Sequence, residues 1–249
     1  MGTDALLLQA RYAECLRRAD QFEAIGSLVD AIRHADEAIR IGPELPRAYY
    51  VRGRLRRLLD STDPARLDQA ADDFRALLQR DPRHPDGWRL LASTTTLRAA
   101  ACTGPARSEL LTGAYRAFQE SARLNPQSAT ALLDLAEVDL CLARYREAVG
   151  NAASAWSVAS GGYRIVAAWL AGVANGLLGR EPAARKHHDL LCSGKLCRLS
   201  SATWCITEVD RYLESLRATG GPPDRCTALA FEVHEAFQAL YHQFRPTAH

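Results

Sequence analysis

The chain has 249 residues, 47% of them apolar and 24% charged, with a formal net charge of +2. This much apolar surface can offset chain entropy, which excludes predominant disorder, and the modest, scattered Gly and Pro content excludes collagen-like and low-complexity chains. So small a charge gives no general field for drawing in nucleic acid or an anionic membrane.

Residues 4 to 18, DALLLQARYAECLRR, place Leu8, Tyr12, Cys15 and Leu16 on one helical stripe, and an N-terminal helix is expected over about 1–24. The first residues lack the basic flank and long apolar run of a secretory signal. Leu7 stands near where a myristoylation signal wants Ser or Thr. The most apolar stretch, Ile165 to Leu178, is too short to span a bilayer and contains Asn175. These features predict a cytoplasmic protein without a membrane anchor.

From 25 to 191 the apolar residues recur with helical period, and no alternating β-branched run suggests a strand. Four segments align: AIRHADEAIRIGP, AADDFRALLQRDP, AYRAFQESARLNP and AVGNAASAWSVAS. Their shared positions hold Ala31, Ala35 and Ala38; Ala70, Phe74 and Leu77; Ala114, Phe118 and Ser121; and Ala148, Ala152 and Ala155. Pro43, Pro82 and Pro126 close the first three, and Ser160 stands at the end of the fourth. A fifth set, Ala184, His188 and Leu191, lacks the Pro. The leading alanines lie 39, 44, 34 and 36 residues apart, and the longer intervals predict loop insertions near 60–64 and 99–108.

The segment before each set carries a second pattern. Trp88, Leu91 and Ala92 match the start of W-x2-L-G-x2-Y, with Thr95 in the last place. Leu132, Leu135 and Ala136 match next, followed by Asp139; Tyr49 and Gly53 match earlier, with Arg52 and Arg56 at the remaining places; Ala171 and Gly172 match in the fifth. Taken together, residues 25 to 191 resemble the tetratricopeptide repeat (TPR) family. The resemblance implies an all-α fold, a right-handed superhelix of stacked antiparallel helix pairs. Each pair buries its apolar face only against its neighbours, and small residues let the helices approach closely. Arg56, Asp139 and Asn175 stand where the family packs a large ring, so these junctions are either looser or internally hydrogen-bonded.

Beyond residue 192, Cys205, Val209, Tyr212, Leu213 and Leu216 form one stripe. TGGPPD breaks the chain, and Ala230, Val233, Phe237, Leu240, Tyr241 and Phe244 form another. They are read as capping helices over 192–249 that complete a single domain, 1–249. A dimerisation surface is the competing reading.

Catalytic signatures are missing: SGK at 193–195 has no P-loop glycine upstream, and GxGxxG, GxSxG and HExxH do not occur. A non-catalytic protein without cofactor is expected. Seven cysteines, an odd number without CxxC pairs, argue against a disulfide framework. His187, His188, Cys192, Cys197 and Cys205 include zinc-ligand types, but Cys-x4-Cys is not the spacing of a structural zinc knuckle. The favoured reading is packing, with His188 at the repeat's aromatic position and metal or redox chemistry as the alternatives.

One face remains. Arg47, Tyr50, Arg54 and Arg57 recur at helical spacing, and in the resemblance first helices line a concave groove in which these positions, and Arg89 in the next unit, face ligand. A solvated basic face is the alternative. The clamp Lys and Asn of chaperone-binding members are replaced by Arg54 and Tyr50. The expected function is a scaffold or adaptor that binds a protein or peptide, acidic in character, in the groove. The alternative is an accessory subunit of an enzyme or of a nucleic-acid complex.

Overall fold

The computed structural model describes residues 2–193, 207–219 and 224–244, and among them every regular element is an α-helix. The chain divides into two compact units, Met1–Leu124 and Asn125–His249. The first contains α1 (Gly2–Ala24), α2 (Leu28–Ile41), α3 (Pro46–Leu59), α4 (Pro64–Arg80), α5 (Pro85–Ala100) and α6 (Gly104–Leu124). The second contains α7 (Ala129–Cys141), α8 (Tyr145–Val158), α9 (Gly162–Leu177), α10 (Glu181–Cys192), α11 (Thr207–Thr219) and α12 (Arg225–Phe244). From α1 to α6 and from α7 to α10 successive helices pack as pairs and each pair stacks on the next, while α11 packs on α7 and α12 on α9 and α10.

The repeat alanines explain the pairing. Ala31, Ala70, Ala114, Ala148 and Ala184 are all fully buried, so each marks a close crossing of a second helix with its partner. Helices α2, α4 and α6 each stop two residues before Pro43, Pro82 and Pro126, since Pro disfavours helix in the residue before it. Pro46, Pro64 and Pro85 open α3, α4 and α5, where the missing amide costs nothing. The ring that begins the first-helix pattern is tied to that punctuation. Tyr49 donates its hydroxyl to the Pro43 carbonyl at 3.0 Å, and Trp88 donates Nε1–H to the Pro82 carbonyl at 2.9 Å. The ring and the proline carbonyl therefore bond across the turn between successive helix pairs.

The three polar residues at ring positions are internally hydrogen-bonded. Arg56 reaches Asp73 at 2.8 Å, Asp139 accepts from Asn151 Nδ2 at 2.7 Å, and Asn175 donates to the Ala171 carbonyl at 2.8 Å. Arg52, at the Leu position, forks onto Asp73 at 2.5 and 3.0 Å and reaches Asp36 at 2.6 Å. An ionic chain, Asp36–Arg52–Asp73–Arg56, buried at Asp73 and half-exposed at Asp36, thus links α2, α3 and α4 where the resemblance implies apolar packing. Burial raises the Asp73 carboxyl above its ordinary value, and the two guanidiniums offset part of that rise.

The long interval before Ala114 is not a loop. Helix α6 absorbs it, running 21 residues against 14 in α2, and only a short turn separates it from α5. The insertion at 60–64 is a turn that Asp60 and Asp63 organise, with Asp63 accepting from Ala65 N at 2.9 Å as the N-cap of α4. In the α7–α8 turn, Ala143 adopts φ 58°, the left-handed conformation that Gly26 and Gly179 supply in the α1–α2 and α9–α10 turns. No helix among the described residues is long and apolar enough to cross a membrane.

Candidate functional site

The face expected to meet a ligand is formed in the first unit by α3 and α5. Arg47 is exposed, while Tyr50, Arg54, Arg57 and Arg89 are half-buried. Arg57 Nη1 donates to Ser93 Oγ at 2.5 Å, joining α3 to α5 across the face. The Tyr50 ring lies 5.3 Å from that of His84, the residue that caps α5 by accepting from Gly87 N. Arg54 pairs with Glu23 of α1 at 2.5 Å, while its buried Nε has no hydrogen-bond partner. Arg89 Nε stands 3.6 Å from Asp86. Tyr50 and Arg57 thus reach from α3 to α5 or its cap, Arg54 turns to α1 and Arg89 to Asp86 of its own helix, and Arg47 lies on the same stripe of α3 one turn before Tyr50. The face is less uniformly basic than its arginines suggest, because Glu23 and Asp86 lie in it. Glu23 had a readable signal: counted from Ala19, it occupies the place in α1 that Arg57 occupies in α3, counted from Gly53.

The second unit treats the same positions differently. By repeat register, Tyr50, Arg54 and Arg57 correspond to Leu133, Glu137 and Leu140 in α7 and to Trp169, Val173 and Gly176 in α9. Leu133, Leu140, Trp169 and Val173 are fully buried in one cluster with Val209 and Leu213 of α11 and Ala230, Val233 and Phe237 of α12. Helix α12 lies antiparallel along α9, pairing Trp169 with Phe237, Gly172 with Val233 and Gly176 with Ala230. The Trp169 and Phe237 rings stack at 4.2 Å, and Trp169 Nε1 donates to His234 Nδ1 at 3.0 Å. A Cβ at Gly176 would lie 2.8 Å from the Ala230 backbone nitrogen, so only glycine admits α12 this close. Helix α11 packs on α7, and its Tyr212 hydroxyl lies 2.5 Å from that of Tyr145. Helices α11 and α12 thus occupy the face that, in the first unit, is polar and only half-buried.

The histidine–cysteine cluster comes apart. His188 is part-exposed with Cys192 Sγ 3.7 Å from its Nε2, and it is His187 that packs against Gly172. Cys197 and Cys205 lie outside the described residues. Among the described residues no group of three or more His, Cys, Asp or Glu is arranged to hold a metal, and Cys15, Cys102 and Cys192 are reduced thiols.

No protein-family model matches the chain, and no curated protein sequence is similar to it. Solved structures are similar in fold. The thermophilic TPR protein TTC0263 of Thermus thermophilus superposes with a TM-score of 0.56 at 18% identity, over 83% of this chain and 99% of that one. A tetratricopeptide repeat protein of Parabacteroides merdae gives 0.61 at 15% identity, over 94% and 88%. YrrB, described as a TPR protein with an unusual peptide-binding site, gives 0.58 at 16% identity, over 89% and 90%. These likenesses agree with the buried repeat alanines, the proline punctuation and the pairwise stacking, and the fold of this chain is the tetratricopeptide-repeat fold.

Proposed function

We propose that the chain is a non-catalytic interaction scaffold that takes an acidic peptide or partner segment along the α3–α5 face of its first unit. The supporting observation is that face itself: Arg47, Tyr50, Arg54, Arg57 and Arg89 on two adjoining helices, with the buried Arg54 Nε left without a partner. An unpaired buried donor costs about 1–3 kcal/mol, which a carboxylate or carbonyl from a ligand would recover. Guanidiniums can hold carboxylates bidentately, and Tyr50 offers an apolar body beside them. The corresponding face of the second unit is filled by α11 and α12, so a groove ligand is directed to the first. The peptide-binding site reported for YrrB is a precedent for the fold.

The test is fluorescence anisotropy with synthetic peptides rich in Asp and Glu at two salt concentrations. Wild-type protein should bind them with an affinity that falls as salt rises. Arg47→Glu and Arg54→Glu should each weaken binding by roughly tenfold, about 1.4 kcal/mol, while helicity is unchanged. Equal affinities and equal salt slopes for wild type and both variants would assign these arginines to a merely solvated face.

A further inference from the structure

The second unit contains a cavity of about 600 Å³ between α8 and α10, floored by Ala171 of α9. It is separate from the face covered by α11 and α12. Its walls are apolar, from Val149, Ala152 and Trp156 on one side and Leu190 on the other. A volume of this size lies within the ~300–1,000 Å³ of small-molecule sites, which pair apolar walls with a few placed polar groups. The least exposed polar residue of the lining is His187, which approaches so closely because α9 has Gly172 beneath it; a Cβ there would sit 2.9 Å from that of His187. The His187 Nδ1 is buried and has no hydrogen-bond partner. Lys186, one of only two lysines in the chain, also lines the cavity from an exposed position at its rim. The opposing charge, Asp189, is largely exposed and lies 3.5 Å from His188 Nδ1.

We propose that this cavity binds a small apolar carboxylate. Its hydrocarbon or aromatic body lies against Val149, Ala152, Trp156 and Leu190, and its carboxylate takes the His187 Nδ1–H and the Lys186 ammonium. The charge pattern selects this class: the His187 imidazole and the Lys186 ammonium line a mostly apolar chamber, Asp189 lies beside His188, the Ser193 hydroxyl is given to the Leu190 carbonyl, and an amine would be repelled by Lys186. Burial and the neighbouring Lys186 lower the His187 pKa, so the imidazole is neutral at pH 7 and can place its proton on Nδ1.

Calorimetric titration of the full chain with decanoate, decylamine and decanol tests this, with tryptophan fluorescence as a second readout because Trp156 lines the cavity. Decanoate should bind one to one, at least tenfold more tightly than decanol or decylamine, and His187→Leu should remove that preference. Ala153 lines the cavity with an exposed side chain, so Ala153→Trp should block binding with the circular dichroism spectrum unchanged. Absence of saturable decanoate binding, equal affinity for decylamine or decanol, or undiminished binding by Ala153→Trp overturns the proposal.

Discussion

Asp139 and His234 are buried side chains whose ionisation opposes the fold from opposite ends of the pH scale. Burial raises the Asp139 carboxyl from 3.8 to about 6; Asn151 holds one oxygen and the other has no partner. The folded state therefore binds this proton more tightly than the unfolded chain. Stability from this group is complete below about pH 4 and is lost as pH rises through about 6, a difference of about 3 kcal/mol. Asp139→Asn should accordingly stabilise the protein at pH 8 and lose that advantage at pH 4, read from urea denaturation at both. His234 has the reverse sign. Its Nδ1 accepts from Trp169 and its Nε2 faces Asp210 at 2.6 Å, so the neutral ring is the one that fits, and burial lowers its pKa. Its contribution is present above pH 6.5 and lost as pH falls below that. A third residue, Ala143, holds a left-handed conformation at φ 58°, and Ala143→Gly should raise stability by about 1 kcal/mol in the same assay.

Helix contacts depend on what each position admits. Asp73 holds Arg52 and Arg56 together between α3 and α4, so Asp73→Ala leaves two guanidiniums short of their partner in a largely buried place. Removing one member of a buried ion pair costs about 3–5 kcal/mol, and Asp73→Ala should lower the melting temperature accordingly. Glycines in two helices give a paired experiment. A Cβ at Gly150 of α8 would meet nothing within 4 Å, so Gly150→Ala should add about 0.5–1 kcal/mol of helix stability. At Gly176 the same methyl would collide with the α12 backbone, and overpacking of roughly 1–3 kcal/mol should outweigh the helical gain. Opposite signs in thermal melts of Gly150→Ala and Gly176→Ala would identify α12 as closely seated on α9.

Across the chain, burial is uneven. Helix α9 is buried over nearly its whole length, enclosed by α8, α10 and α12, whereas residues 5 to 11 of α1 are all exposed. Local opening follows such differences, so native-state hydrogen exchange should be slowest in α9 and fastest in the first turns of α1. Protection of α9 no greater than that of α2 would mean that α12 does not cover it in solution.

The sequence by itself determined the local code of this protein. Alanines at a fixed phase, proline after the first three second helices and Tyr49 or Trp88 opening the next first helix are short-range rules, and they act before distant contacts exist. They were legible because crossing distance and missing amides depend on single residue types. The candidate face was legible for the same reason: Arg47, Tyr50, Arg54 and Arg57 share a helical period. Tertiary structure decided what long-range partners alone can decide. Arg56 and Asp139 could have made loose junctions, and only the placement of Asp73 and Asn151 made them bonded ones, whereas Asn175 bonds within its own helix, to the Ala171 carbonyl one turn back. The apolar stripes of α11 and α12 specified that they would be buried but not against what. That choice fell to Gly172 and Gly176, whose missing side chains leave room on α9 for Val233 and Ala230 far along the chain. An amphipathic stripe fixes the need for a partner, whereas steric fit between two surfaces selects which partner it is.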